Sequence, residues 1–213
     1  MRCEARIPAL AKAAGMAQPQ HLRKPRTMDT DLTGKLLIAL PGIGDARFSR
    51  SVILVCAHSP EFAMGIVLNK PMAHLRLPQL FEQLDVPIEA DVPDTFVLDG
   101  GPVSSDRGFV LHTDDVYNEG ASLPVEGDIC MTATRDILHA MGSAHPPRRS
   151  VLALGYSGWG AGQLEAELAE NAWLVCDMDP ELIFSSAHER KWRHALGRLG
   201  IDSGRLQVDP GNA

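Results

Sequence analysis

The sequence lacks the features that define membrane, metal-bound and secreted proteins. No apolar run approaches the ~18 residues that a membrane span needs, and the longest runs, at 36–40 and 51–57, have the length of strands. Aromatic residues make up only 5% of the chain. Its four cysteines form no Cys-x-x-Cys pair, which argues against a zinc module or a disulfide scaffold: Cys3, Cys56, Cys130 and Cys176. We predict a soluble, cytoplasmic protein with no metal and no cofactor.

Basic side chains are scarce outside the N-terminal segment. Residues 1–28 hold six Lys and Arg against one acid, whereas the whole chain carries a net charge of −7. The remainder is therefore strongly acidic and should repel a nucleic-acid backbone. Pro8 and Lys12 interrupt the segment, so it does not read as a signal peptide. We predict a disordered basic tail over 1–28, with Met28 as an alternative start, and one domain over 29–213.

Short apolar runs separated by Gly, Pro and Asn predict a chain rich in strands. They place strands at 35–40, 51–57, 65–68, 95–98, 108–111, 128–132, 151–154 and 173–176. Several are apolar on both faces, as in central strands of a sheet covered on both sides. Helical patterns at 77–84, 135–141, 162–172 and 187–199 concentrate towards the C-terminus. Together they favour an α+β fold with a mixed sheet.

Local signals predict how the C-terminal helices begin and which face they expose. Asp179 followed by Pro180 is typical of a helix start, and Ser186 with Glu189 matches a capping box for the last helix. That helix carries four cations, which we interpret as a solvated face rather than a nucleic-acid contact: Arg190, Lys191, Arg193 and Arg198.

The segment "GYSGWGAGQLEAELAENAW", which begins at Gly155, is read as a strand, a tight glycine turn and a helix. This is the setting of a serine nucleophile, but a nucleophile elbow needs G-x-S-x-G and Trp159 occupies the second glycine position after Ser157. Two interpretations remain. Either Trp159 simply packs over the core, or the N–H groups at the helix start bind an anion. The candidate ligand-binding residues here are Gly158, Trp159, Gly160 and Gln163.

A second candidate site joins a thiol to an imidazole. Residues two apart on a strand project to one face, so Cys56 can lie beside His58, with Arg50 further along the same face. A neighbouring cation would favour the thiolate and make Cys56 reactive. The alternative is a cysteine packed in the core as a small apolar residue. The first interpretation predicts a thiol enzyme or redox sensor, and the second does not.

Four further polar residues are candidates for a ligand-binding cleft. The segments "NKP" and "GGPVSSDRGF" have turn composition, yet their polar members can line a cleft at the edge of a sheet. The histidine in "FVLHT" lies on a predicted strand, and one amide lies on the glutamate-rich helix predicted over 162–172. These candidates are Asn69, Arg107, His112 and Asn171.

Six blocks of sequence resemble the YqgE/AlgH family over 32–205: "LTGKLLIALPGIGDARFSRSVILVCAH", "AMGIVLNKP", "LDGGPVSSDRGFVLHT", "TATRDILHAM", "LGYSGWGAGQLEAELAENAWLV" and "HALGRLGID". The resemblance implies a compact α+β domain, with a large mixed, barrel-like sheet flanked by helices, in a bacterial cytoplasmic protein. It implies no settled activity, although some members carry a transcriptional-regulator label. The family usually has Cys-Glu-His where this chain has Ala57 between Cys56 and His58.

Three hypotheses about function follow. The leading one is a non-catalytic binding or regulatory protein with a small-molecule or protein partner. The alternatives are the thiol chemistry at Cys56 and a transcriptional regulator that contacts DNA. The acidic balance and the lack of a helix-turn-helix pattern argue against the DNA contact, and no acid–base pair at a diagnostic spacing supports an enzyme.

Overall fold

The computed structural model describes residues 31–89 and 91–206, so the tail predicted over 1–28 lies outside the described residues. The described strands are β1 (Lys35–Ala39), β2 (Val52–His58), β3 (Phe62–Val67), β4 (Pro71–Arg76), β5 (Phe96–Asp99), β6 (Val103–Thr113), β7 (Ser122–Glu126), β8 (Ile129–Thr132), β9 (Ser150–Gly160) and β10 (Trp173–Asp177). The described helices are α1 (Leu77–Gln83), α2 (Arg135–Gly142), α3 (Gln163–Ala169), α4 (Pro180–Phe184) and α5 (His188–Arg198).

The strands form a curled, half-barrel sheet. Its main path runs β10-β1-β2-β3-β9-β6-β8-β7, and each neighbouring pair in it is antiparallel. β5 joins β9 in parallel and pairs with β4 on its other side, which makes the sheet mixed. The α+β fold with a large, mixed, barrel-like sheet is therefore confirmed.

Both faces of the sheet are covered, as the apolar strands predict. On one face, side chains of β1, β2 and β3 pack under α4 and α5, around Trp192 and Leu196. On the opposite face, α3 and the loop before β2 cover Trp159 and Trp173. On that face α1 and α2 also pack, through Phe81 and Met141, against side chains of β5, β6 and β9. Strands that alternate between two apolar environments have no polar face, which explains the unbroken apolar runs.

The glycine-rich segment is the main departure from the predicted fold. Residues 155–160 continue β9 instead of turning, and the turn comes later, at Ala161 and Gly162. Gly155 is essential to this path because its φ is +73° and an added Cβ would lie 2.3 Å from the Gly101 carbonyl oxygen. Beyond it, Ser157 pairs with Gly65 of β3 and is fully buried.

Smaller departures concern the strand edges and the last helix. β4 and β7 were not predicted. Pro71 begins β4 and Pro124 lies within β7, and proline is tolerated in edge strands such as these. Asp179 caps α4 as predicted, but α5 begins after Ala187 with no side-chain cap, so the predicted capping box is wrong. None of the described helices is long and apolar enough to cross a membrane.

One of the four cations predicted to be solvated is in fact buried. Lys191 is only 2% exposed, and its Nζ donates to the carbonyl oxygens of Leu68 at 2.9 Å and Ile183 at 2.8 Å. Burial lowers the pKa of Lys191 to about 7. The side chain thus ties α5 to α4 and to the end of β3.

Candidate functional site

The structure separates the thiol from the imidazole. A β-bulge between Val55 and Ala57 shifts the register of β2, so the rule that residues two apart share a face fails here. Cys56 points into the core beneath α5. His58 lies at the strand end, where Leu32 N–H donates to its Nδ1 at 3.3 Å and its Nε2 lies 2.8 Å from Glu165 Oε1. Because Nδ1 accepts, Nε2 carries the proton that is donated to Glu165.

Cys56 has none of the features of a reactive cysteine. It is 1% exposed, and its Sγ contacts the Leu54 carbonyl oxygen at 3.5 Å. Burial raises the pKa of the Cys56 thiol to about 12, so almost no thiolate exists at neutral pH. Arg50 lies elsewhere, with its guanidinium 5.6 Å from the centre of the Trp192 ring. The prediction of an activated thiol is wrong, and the core-packed alternative describes this residue.

Most of the remaining polar candidates serve the fold. His112 is fully buried, with Nδ1 2.9 Å from the Thr113 carbonyl oxygen and Nε2 2.8 Å from Thr132 Oγ1. Arg107 is exposed and lies over the Phe109 ring. Asn171 adopts a left-handed φ of 58° just after α3, a position that asparagine tolerates well. The structure does not bring these three residues together.

The start of α3 is poorly suited to the anion that one interpretation of the sequence places there. The Gly160 N–H already donates to the Gln163 side chain at 3.1 Å, and Gly162 precedes the helix in a left-handed conformation. The helix has seven residues and carries Glu165 in its first turn, which opposes an anion. Gly160 and Gln163 are therefore structural partners of each other at this turn.

Three of the sequence candidates do converge on one cavity, which we call the aromatic pocket. It has a volume of about 470 Å³ and lies between the loop before β2, the end of β9 and α3. Gly158, Trp159 and Gln163 line it. The other lining residues that matter here were not predicted: Asp45, Arg47, Phe48, Glu167, Glu170 and Trp173.

Three aromatic rings form one wall of the aromatic pocket. The rings of Trp159 and Trp173 meet edge to face, with centroids 6.1 Å apart and planes at 78°. Phe48 contacts Trp173 in the same way, at 5.7 Å and 68°. Edge-to-face packing fixes each ring against its neighbour, so the wall is rigid before any ligand arrives.

Glu167 fixes the two indoles from the helix side. Its Oε2 accepts the Nε1–H of Trp159 at 2.9 Å and that of Trp173 at 2.8 Å. Its Oε1 accepts the Gln163 side-chain amide at 2.9 Å. The two indoles and the Gln163 amide are neutral donors. They therefore fix the Glu167 carboxylate in the pocket wall without neutralising its negative charge.

The other charges leave the aromatic pocket with a net negative balance. Arg47 is held by Asp45 through contacts of 3.0 and 2.6 Å, and this pair lowers the pKa of Asp45. Asp45 therefore offsets the only cation that lines the pocket among the described residues. Glu167 and Glu170 have no cationic partner there within residues 31–89 and 91–206.

Sequence reasoning located Trp159 but missed its partners. Trp173 lies fourteen positions further on, at the start of β10. No local pattern shows that the end of β9 and the start of β10 bring two indoles to one carboxylate. The spacing of Gln163 and Glu167, four apart on a helix, was a usable signal for their contact. Among the described residues, no group of three or more His, Cys, Asp or Glu side chains could hold a metal ion.

Comparisons with known proteins give a consistent result. The pattern described as AlgH-like matches residues 36–204 of this chain. A UPF0301 protein of Caulobacter vibrioides is 50% identical over 183 residues, which cover 85% of this chain and 94% of that protein. A UPF0301 protein of Afipia carboxidovorans is 50% identical over 191 residues, covering 86% and 91%.

Two solved structures are similar to this fold. The solution structure of the AlgH protein from Pseudomonas aeruginosa aligns with a TM-score of 0.69 at 36% identity, covering 89% of this chain and 100% of that one. A crystal structure of a protein from Corynebacterium diphtheriae aligns with a TM-score of 0.63 at 18% identity, covering 90% and 92%. The second likeness concerns the fold alone.

Proposed function

The chain belongs to the AlgH-like family, and we propose that it is a non-catalytic binding protein whose aromatic pocket takes a small organic cation. One observation carries the proposal. A carboxylate, Glu167, is held by two indole N–H groups inside a pocket that those same indoles line. Aromatic faces and uncompensated negative charge together attract an ammonium or quaternary ammonium group.

The size of the aromatic pocket suits a small molecule. About 470 Å³ falls within the range of small-ligand sites. The rigid ring wall reduces the entropy lost on binding because the rings need not be ordered by the ligand. A protein partner could present the same chemistry as a lysine side chain, but a free cation needs no matching surface around the pocket.

The absence of catalysis in this proposal rests on the two candidate nucleophiles. Ser157 is fully buried in β9, where its Oγ contacts the Gly100 carbonyl oxygen at 3.5 Å. Cys56 is buried on the face of the sheet beneath α5. Neither lines the aromatic pocket, so no described serine or cysteine nucleophile faces a ligand bound there.

The proposal can be tested with choline chloride as the probe. Titration of the purified chain, followed by isothermal calorimetry, should give saturable binding with one site per chain. Glu170→Gln removes one exposed carboxylate from the pocket while keeping its shape, so choline binding should weaken about fivefold, equivalent to about 1 kcal/mol.

The matched control is Glu165→Gln on the same helix. Glu165 pairs with His58 and does not line the aromatic pocket, so this variant should bind choline as the wild type does. Equal weakening in both variants would show that choline responds to the overall charge of α3 and not to the aromatic pocket. Absence of saturable choline binding by the wild type would overturn the proposal.

A further inference from the structure

A second cavity concentrates positive charge on this acidic chain. It has a volume of about 580 Å³ and lies between the start of β2, the turn after β3 and α5. We call it the basic cavity. Its lining includes three cations, Arg50, Lys70 and Arg193, against one acid, Glu189. Among the described residues, no carboxylate forms an ion pair with any of these three cations, whereas six other Lys and Arg side chains do have such partners.

The backbone at Arg50 is held in a conformation that arginine rarely adopts. Its φ is 53°, in the left-handed region, which costs about 1 kcal/mol or more for a residue with a Cβ. Asn69 imposes it, since its Nδ2 donates to the Arg50 carbonyl oxygen at 2.8 Å and its Oδ1 accepts the Val52 N–H at 2.9 Å. The guanidinium then lies over the Trp192 ring. Strain of this kind is retained where it positions a functional group.

Lys70 is the second cation of the cavity. It follows Asn69 directly, and its Nζ donates to the Arg47 carbonyl oxygen. Burial lowers the pKa of Lys70, although Asp99 and Asp45 oppose that change from a distance. A partly desolvated ammonium without a carboxylate in contact gains more from an anion than a fully hydrated one does.

We propose that the basic cavity is a binding site for a small multiply charged anion of the phosphate class. Arg50 and Arg193 supply guanidinium groups suited to bidentate contact with phosphate oxygens, and Lys70 supplies a point charge. Asn69 acts as a positioning residue, because it holds the Arg50 backbone. The hydroxyls of Ser49 and Ser203, which also line the cavity, provide further donors.

The site is distinct from the aromatic pocket, although Lys70 contacts the backbone of Arg47, which lines that pocket. The two cavities share no lining residue, and their charges have opposite sign. A ligand of one should therefore be rejected by the other. The proposal stands or fails without reference to choline.

Inorganic pyrophosphate is the probe for the experiment, with binding followed by calorimetry at low salt. The wild type should bind it saturably, and Arg193→Gln should weaken binding at least about fivefold. Arg50→Gly should weaken it to a similar extent without loss of stability, since glycine accepts the left-handed φ and only the side chain is removed. The matched control is Arg190→Gln, which lies on α5 but lines a different cavity, and it should bind pyrophosphate as the wild type does.

Three results would overturn the proposal. The first is the absence of saturable pyrophosphate binding by the wild type. The second is equal weakening by Arg190→Gln, which would reduce the effect to the net charge of α5. The third is retention of full affinity by Arg50→Gly and Arg193→Gln together, with melting temperatures that show both variants folded.

Discussion

The aromatic pocket and the basic cavity use their charged groups in opposite ways. In the aromatic pocket, Glu167 is fixed by three hydrogen bonds and forms part of the packed wall. In the basic cavity, Asn69 fixes only the backbone of Arg50, and the guanidinium lies on the surface of Trp192. The charged group of the first region is therefore part of the packed core, whereas the guanidinium of the second lies outside it.

The largest expected loss of stability follows from truncating a ring in the wall of the aromatic pocket. Trp173 is 3% exposed and packs against Trp159 and Phe48, so Trp173→Ala should lower the free energy of unfolding by about 3–5 kcal/mol. Arg193→Ala in the basic cavity should change it by about 0.5 kcal/mol or less. Urea denaturation measures both. Equal losses of stability in the two variants would show that the basic cavity contributes to the packed core as much as the aromatic pocket does.

The next largest effect is a pH dependence of the free energy of unfolding, caused by the buried cation of α5, Lys191. The pKa of Lys191 is about 7 in the folded chain, against its usual value of 10.5. Between these pH values the folded chain binds fewer protons than the unfolded chain, so this group makes the free energy of unfolding rise with pH. Below pH 7 its contribution is constant.

Lys191→Met is the variant that tests this dependence. Subtraction of its stability profile from that of the wild type should leave a rise from about pH 7 to about pH 10.5. Lys35, which is paired at the surface with Asp177, provides the control, and Lys35→Met should leave the profile unchanged over the lower part of this range. A flat difference for Lys191→Met would mean that Nζ is well solvated.

A smaller loss of stability is expected when the Glu167 carboxylate is replaced by a neutral side chain of the same shape. Glu167→Gln offers two indole N–H groups a weaker, neutral acceptor, and the free energy of unfolding should fall by about 1–3 kcal/mol. Glu170→Gln, in the same pocket but exposed and not part of the wall, should change it by about 0.5 kcal/mol or less. A stability of Glu167→Gln equal to that of the wild type would show that the carboxylate does not hold the wall.

No alkylation of Cys56 is expected while the chain is folded. Its thiol is buried with a pKa raised to about 12, so iodoacetamide should reach it only after unfolding. Cys176 is half-buried and should react first among the described cysteines. Mass spectrometry of each alkylated cysteine over time measures the order. Fast reaction of Cys56 in the folded chain would restore the thiol hypothesis.

The sheet was predictable from sequence because its signals are local. Apolar runs bounded by Gly and Pro located eight of the strands, and Asp179 with Pro180 located the start of α4. The failures occurred where a distant contact decides local geometry. Ser157 lies in a strand because Gly155 fits against Gly101, over fifty positions away, and continues the chain alongside β3.

The candidate sites were predictable only in part, for the same reason. A single bulge in β2 turned His58 away from Cys56, and no residue type in "VCAH" signals it. The sequence identified Trp159 and Asn69, but not the partners that give each its role. Trp173 on β10 packs against Trp159, and Arg193 on α5 lines the same cavity as Asn69. Neither arrangement follows from a local pattern in the sequence.

The most direct test of the central claim compares two ligands of the same shape in one protein. Choline and its neutral analogue 3,3-dimethyl-1-butanol differ only in the replacement of the charged nitrogen by carbon, so calorimetric titration of the wild type with each isolates the charge. Because the aromatic pocket combines aromatic rings with uncompensated carboxylates, choline should bind at least about tenfold more tightly, a difference of about 1.4 kcal/mol. Equal affinities would show an apolar pocket without charge selection and would contradict the proposed function.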